Sequence, residues 1–216
     1  MIQTIIFDMD GVIIDSEPTH QKLEFEMFAE LGLTISAEEH KNFVGTSAID
    51  MWTLIKQNHA LPKTPQDLLL YGRAKYWEAL DNDRVPLVNG ARDLISMFFS
   101  NNFVVQVASS ATRPTVDRVI SHFQLESYFS FRIGGDEVKK SKPDPEIFIK
   151  AAAQSGTAPE NCLVIEDSKN GIKAAQEAGM KCIGYVNPGT GNQDLSAADV
   201  VVTSLRDIDL AMVKEL

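Results

Sequence analysis

Short apolar runs separated by segments of helical periodicity constrain the fold of this chain more than any other feature. Thr4–Phe7 (TIIF), Phe103–Ala108 (FVVQVA), Leu163–Ile165 (LVI), Cys182–Val186 (CIGYV) and Val200–Val202 (VVV) each read as a buried strand, and Phe131–Ile133 as a shorter one. They are continuous rather than alternating, as expected for strands covered on both faces. Between them lie helix-like segments: Ala91–Phe99, Arg113–Phe123, Glu146–Ser155, Asn170–Ala178 ended by Gly179, and Leu205–Leu216. Strands alternating with helices predict an α/β fold with a parallel sheet and helices on both faces.

The alternation is interrupted once, straight after the first strand. Glu17–Leu31 carries Leu23, Met27, Phe28 and Leu31 near helical spacing, and Gly32 ends it. From about Ser36 to Asp81 the apolar positions (Phe43, Met51, Trp52, Ile55, Leu68, Leu69, Tyr76, Trp77 and Leu80) suit further helices, broken at Pro62 and Pro65. Residues 16–83 are therefore expected to form a small all-helical domain, inserted into a core made of residues 1–15 and 84–216. A chain of 216 residues has room for both.

Bulk properties narrow the function. The net charge is −10, from 20 basic and 30 acidic side chains, and no basic run is present. That argues against a general nucleic-acid partner. The first apolar run stops at Asp8, and none approaches membrane-spanning length, so no membrane association and a cytoplasmic location are expected. Two cysteines, Cys162 and Cys182, sit inside strand-like runs. They are too few for a disulfide scaffold and read as buried thiols.

Ligands of open α/β sheets bind beyond the carboxyl ends of the strands, so the residues just past each strand carry the chemistry. The first strand delivers Asp8 and Asp10, which strand periodicity places side by side with Met9 turned away. FVVQVA leads into Ser109 and Ser110, and LVI into Glu166 and Asp167; Lys142 lies between the latter two in KSKPDPE. Four acids converging on one point repel one another. A hard cation relieves that repulsion, and Mg²⁺ typically takes one or two carboxylates plus substrate phosphate. The competing reading makes Asp10-Gly11 a turn and Asp167 the cap of the next helix. Ser109 and Ser110 suit a phosphate at a helix start or simply cap that helix. Lys142 is either a fixed positive charge on nucleophile and phosphate or a solvated loop lysine. His20, Lys22, Arg73 and Lys75 are basic groups in the helical insertion whose ordinary role is surface exposure. Gly189 and Gly191, in NPGTGN, read as a turn.

The ordered set Asp8-Met9-Asp10-Gly11, Ser109, Lys142-Pro143 and Glu166-Asp167 resembles the four motifs of the haloacid dehalogenase superfamily, over nearly the whole chain. The helical insertion, SKPDPEIF and EDSKNGIKAA resemble its β-phosphoglucomutase-like branch of phosphatases and phosphomutases. The resemblance implies a Rossmann-like core with a helical cap, a Mg²⁺ cofactor and a small phosphorylated substrate. It implies Asp8 as nucleophile forming an aspartyl-phosphate and Asp10 as general acid and then base. Ser109, the Ser110 N–H, Lys142 and His20 would contact phosphate or substrate. Asp8, the Asp10 carbonyl and Asp167 would hold the metal, with Glu166 bonded to one of its waters.

Within that family Asp10 and the Glu166-Asp167 pair argue against a dehalogenase, and the length argues against a receiver domain. The complete motif set argues against a non-catalytic phosphate-binding protein. Mutases of the branch carry an arginine three residues after a glycine of a cap loop; here Gly45-Thr46-Ser47-Ala48 puts Ala48 there. Loss of that bidentate clamp favours a sugar-phosphate phosphatase over a phosphomutase, although His20 matches the mutase pattern and Arg73 or Lys75 could substitute. The enzyme is expected to be a monomer whose cap opens and closes about hinges near Asp15–Glu17 and Asn82–Pro86.

Overall fold

A computed structural model describes residues 1–40, 43, 48–59 and 61–216. In chain order its elements are β1 (Thr4–Phe7), α1 (Glu17–Glu30), α2 (Ala37–His40), α3 (Ala48–His59), α4 (Pro65–Asp81), α5 (Ala91–Ser100), β2 (Val104–Ala108), α6 (Arg113–His122), β3 (Phe131–Ile133), α7 (Glu146–Ser155), β4 (Cys162–Glu166), α8 (Lys169–Glu177), β5 (Lys181–Tyr185), β6 (Val200–Val202) and α9 (Leu210–Glu215). They form two compact units, Met1–Glu17 with Val85–Leu216, and Pro18–Arg84.

The first unit is a Rossmann-like α/β fold. Its six strands lie in the order β3-β2-β1-β4-β5-β6, all parallel. β1 and β4 are buried at every position, which is why their sequences are unbroken apolar runs. One face of the sheet packs Ile6, Ala108, Val164 and Cys182 against Ile147, Phe148 and Ala151 of α7 and Ile172 and Ala175 of α8. Both cysteines are free and buried there, and burial pushes the Cys162 thiol up to about 11. Register decides where the chemistry can go. Phe7 lies opposite both Val107 and Ile165, so β1, β2 and β4 end nearly level. The chain runs outward from β1 through β2 to β3, then returns to β1's other side with β4. That reversal is the switch point at which open α/β sheets bind ligands.

The second unit is helical among the described residues. Met27 and Phe28 of α1 pack with Trp52 and Ile55 of α3 and Leu68 of α4, and the Phe28 and Trp52 rings meet edge-on at 5.5 Å. Pro65 begins α4 rather than breaking a helix. Thr64 caps its first turn, and Asp67 returns the bond to the Thr64 N–H.

Some expectations are corrected. Leu69 is exposed, because it falls off the stripe formed by Leu68, Tyr76 and Leu80. The closing helix is two pieces: a 3₁₀ turn at Leu205–Asp207 capped by Ser204, then α9 restarted by the Asp209 cap. Among the described residues no helix is long and apolar enough to cross a membrane.

Candidate active site

Strand geometry ends at Phe7. Asp8 still donates its N–H to the Ile165 carbonyl, at 3.0 Å, and the chain then turns. The Met9 carbonyl accepts from the Ile13 and Ile14 N–H groups, and Gly11 N–H donates to the Ile14 carbonyl at 2.7 Å. Gly11 sits at φ 82°, a conformation that favours glycine. Asp10 is therefore placed by a turn, not by the strand alternation expected from spacing.

Lys142 organises the acids at the strand ends. Its side chain is only 6 % exposed. Its ammonium donates to Asp8 Oδ1, to Glu166 Oε1 at 2.8 Å and to the Ala108 carbonyl at 3.1 Å. One acceptor comes from the end of each of β1, β4 and β2, so all three ammonium protons are used. It is not a solvated loop lysine. Glu166 closes β4 and is fixed from its other side, where Oε2 accepts from the Ser168 N–H at 2.8 Å and hydroxyl at 2.9 Å. A side chain at Gly171 would overlap that carboxylate.

Asp167 is not the cap of α8. Ser168 takes that position and accepts from the Gly171 N–H. Asp167 is thereby left buried beside Gly11, where any added Cβ would overlap its carboxylate. Asp10 is held through its side chain: Ser16 Oγ donates to Oδ1 at 2.6 Å, and Ser109 Oγ reaches Oδ2 at 3.5 Å. Ser109 Oγ in turn accepts from the Ala111 N–H at 3.0 Å. Ser110 is exposed, and α6 starts only at Arg113, so these serines lie in the approach to that helix.

Most of the other candidates have partners of their own. In the helical unit the His20 ring stacks on Tyr76 at 4.4 Å, and Lys22 is exposed. Lys75 is bound to Glu30 at 2.7 Å, and Arg73 lies 5.3 Å from the Trp77 ring. Arg113 is tied to Asp117 and the Arg132 carbonyl. Gly45, Thr46 and Ser47 lie outside the described residues; Ala48 begins α3. Gly189 lies in a 3₁₀ turn, Pro188–Thr190, and Gly191 follows it directly. Two residues of the site were not singled out from sequence: Ser16, a buried serine six residues after the carboxylate it binds, and Asn187. Only the buried serine close behind Asp10 offered a local hint.

The electrostatics follow from burial. Burial, with Glu166 and Asp10 nearby, pushes Asp8 up to about 8 against the pull of Lys142. Burial, then Glu166 and Asp8, pushes Asp167 up to about 9. Burial opposes the charge on Lys142, but Asp8 and Glu166 outweigh it and hold its pKa above the ordinary value. Lys142 therefore stays charged, while burial biases Asp8 and Asp167 toward their protonated forms. Among the described residues no three His, Cys, Asp or Glu side chains form a ready metal cage. Mg²⁺ does not need one, since it binds through one or two carboxylates and keeps waters. Two buried acids beside a backbone turn suit it.

Sheet order and strand-end acids define the class, a Rossmann-like α/β enzyme with an acidic site at its switch point. The haloacid dehalogenase-like hydrolase model matches residues 5–185, and the chain belongs to that family. It is 30% identical over 212 residues to hexitol phosphatase B of Escherichia coli K12, covering 96% of this chain and 94% of the relative. The fold superposes on CbbY from Rhodobacter sphaeroides in complex with phosphate, with TM-score 0.87, 26% identity and coverage of 99% and 100%. A mutant CbbY in complex with xylulose-1,5-bisphosphate gives TM-score 0.86 and 26% identity, with 98% of each chain covered. The chain is a hydrolase, and its relatives' named activities are consistent with phosphoric monoester hydrolysis.

Proposed function

We propose that this protein is a phosphatase hydrolysing a small sugar phosphate through a phosphoaspartate on Asp8. The observation that carries the reading is the convergence of Lys142 on Asp8 and Glu166, beside an Asp10 held by two serine hydroxyls.

In the first step an Asp8 carboxylate oxygen attacks phosphorus, and the bond from phosphorus to the sugar oxygen breaks. Asp10 passes its proton to the departing oxygen. In the second step water attacks phosphorus, Asp10 takes its proton, and the Asp8–phosphorus bond breaks to release phosphate. Lys142 lowers the repulsion between the carboxylate and the phosphoryl oxygens. The Ser109 hydroxyl and Ser110 N–H bind those oxygens, and Ser16 keeps Asp10 aimed at the leaving group. Asp8, the Asp10 carbonyl, Asp167 and Glu166 are the groups that would hold Mg²⁺, which supplies Lewis-acid charge for phosphoryl transfer.

The sugar-phosphate class is supported by the names of the relatives, a hexitol phosphatase and a xylulose-bisphosphate complex. Hydrolysis is favoured over mutase chemistry by Ala48, and by Lys75 being already engaged with Glu30. The test is a panel of hexitol, hexose and pentulose phosphates assayed with Mg²⁺. Phosphate release that is lost in chelator is expected, and no release from any member overturns the proposal. Rapid glucose 6-phosphate formation from β-glucose 1-phosphate with a trace of the 1,6-bisphosphate replaces it with a mutase.

A further inference from the structure

The turn after β5 reaches the catalytic loop through one side chain. Asn187 is 4 % exposed and lies two residues past the end of β5. Its Nδ2 donates to the Gly11 carbonyl at 2.8 Å, a fully buried bond across 176 residues of sequence. Its Oδ1 accepts from the Gly189 N–H at 2.6 Å. One partner is a carbonyl and the other an N–H, which fixes the orientation of the amide.

We propose that Asn187 is a positioning residue that sets the Asp8–Gly11 loop against Asp167. This deepens, and rests on, the phosphatase reading. Two observations separate the role from a local turn cap. Capping the 3₁₀ turn uses only Oδ1, a job Ser or Asp performs as well. Asparagine adds a donor on the same short side chain, and that donor is the atom that meets Gly11. The rest of the turn is built against the same loop. Thr190 Oγ1 donates to the Asn187 carbonyl at 3.1 Å, and Thr190 Cγ2 would lie 3.0 Å from a Cβ at Gly11. Gly11 is thus pinned on three sides: by Ile14 within its own turn, by Asn187, and by the Asp167 carboxylate against which it packs. Freeing its carbonyl releases the peptide after Gly11, and Gly11 can then shift the peptide before it, which carries the Asp10 carbonyl.

The test uses the full chain with Asn187→Ala and Asn187→Asp. The second keeps the volume and the Gly189 acceptor, and replaces the donor facing the Gly11 carbonyl by an acidic oxygen. With p-nitrophenyl phosphate and Mg²⁺, kcat is expected to fall about 10- to 100-fold while KM changes less than about twofold, and Mn²⁺ affinity by calorimetry is expected to weaken within the same range. A merely structural asparagine would lower the melting temperature but leave kcat per folded molecule and Mn²⁺ affinity in place. A folded Asn187→Ala with both quantities within about twofold of wild type overturns the proposal. If that variant does not fold, the same limits apply to Asn187→Asp. Should the wild type hydrolyse no phosphomonoester, the phosphatase reading fails, and the Mn²⁺ titration alone decides Asn187: weakened binding supports it and unchanged binding overturns it.

Discussion

Lys142 Nζ lies 2.8 Å from Glu166 Oε1 and also holds Asp8, so one buried ammonium sits between the carboxylates that end β1 and β4. Removing it leaves two acids buried without a counter-charge. Lys142→Met is expected to destabilise the fold by about 3–5 kcal/mol, measured by urea unfolding, and to abolish turnover. Adding Glu166→Gln should recover part of the stability and none of the activity. Wild-type stability in the single variant would contradict the burial argument.

Asp8→Asn keeps the shape of the proposed nucleophile and removes its charge. Turnover is expected to drop by at least about 10⁴-fold. Phosphate and Mg²⁺ binding, measured by calorimetry, should remain largely intact. Residual activity near the wild-type rate would reassign the nucleophile.

Ser16→Ala removes the 2.6 Å bond that orients Asp10. A loss of about tenfold in kcat with KM nearly unchanged is expected, because orientation of the acid is affected and substrate binding is not. A change confined to KM would move Ser16 to substrate recognition.

The acid cluster makes stability depend on pH and metal. Asp8 and Asp167, raised to about 8 and about 9, bind more protons folded than unfolded above the ordinary carboxylate value of 3.8. Their contribution is fully present below that value and is lost as pH rises through the raised values. In chelator the melting temperature should therefore fall from pH 5 to pH 9, and Mg²⁺ should flatten the decline by supplying the missing positive charge. A metal-free protein whose melting temperature rises over that range would refute the assignment.

Gln106 points the other way. It lies fully buried in β2 opposite Ile6, and neither atom of its amide finds a hydrogen-bond partner among the described residues. An unpaired buried amide costs about 1–3 kcal/mol. Gln106→Leu is expected to raise unfolding free energy by about 1–2 kcal/mol without altering activity, as read by urea denaturation. A less stable variant would mean the amide has a partner in solution.

Much of the fold was written locally. Strands buried on both faces have to be apolar throughout, so Thr4–Phe7 and Leu163–Ile165 were legible as strands. In a parallel sheet the loops that leave the strand ends gather at one edge, so Asp8, Glu166, Asp167 and Lys142 could be nominated together. Strand periodicity failed one residue past Phe7, because a hydrogen-bonded turn replaces extended backbone there. Gln106 was invisible as an anomaly because a single amide does not disturb an apolar run.

By itself, then, the sequence determined most of the elements and their parallel arrangement and nominated the polar groups at the strand ends, since propensity and apolar period act over a few residues. Only the tertiary structure decided that Lys142 spends all three of its protons on three different strand ends, that Ser16 steadies Asp10, and that Asn187 reaches Gly11. Those contacts join positions up to 176 residues apart. They exist because strand register brings loop ends level, a condition that no local stretch of chain encodes.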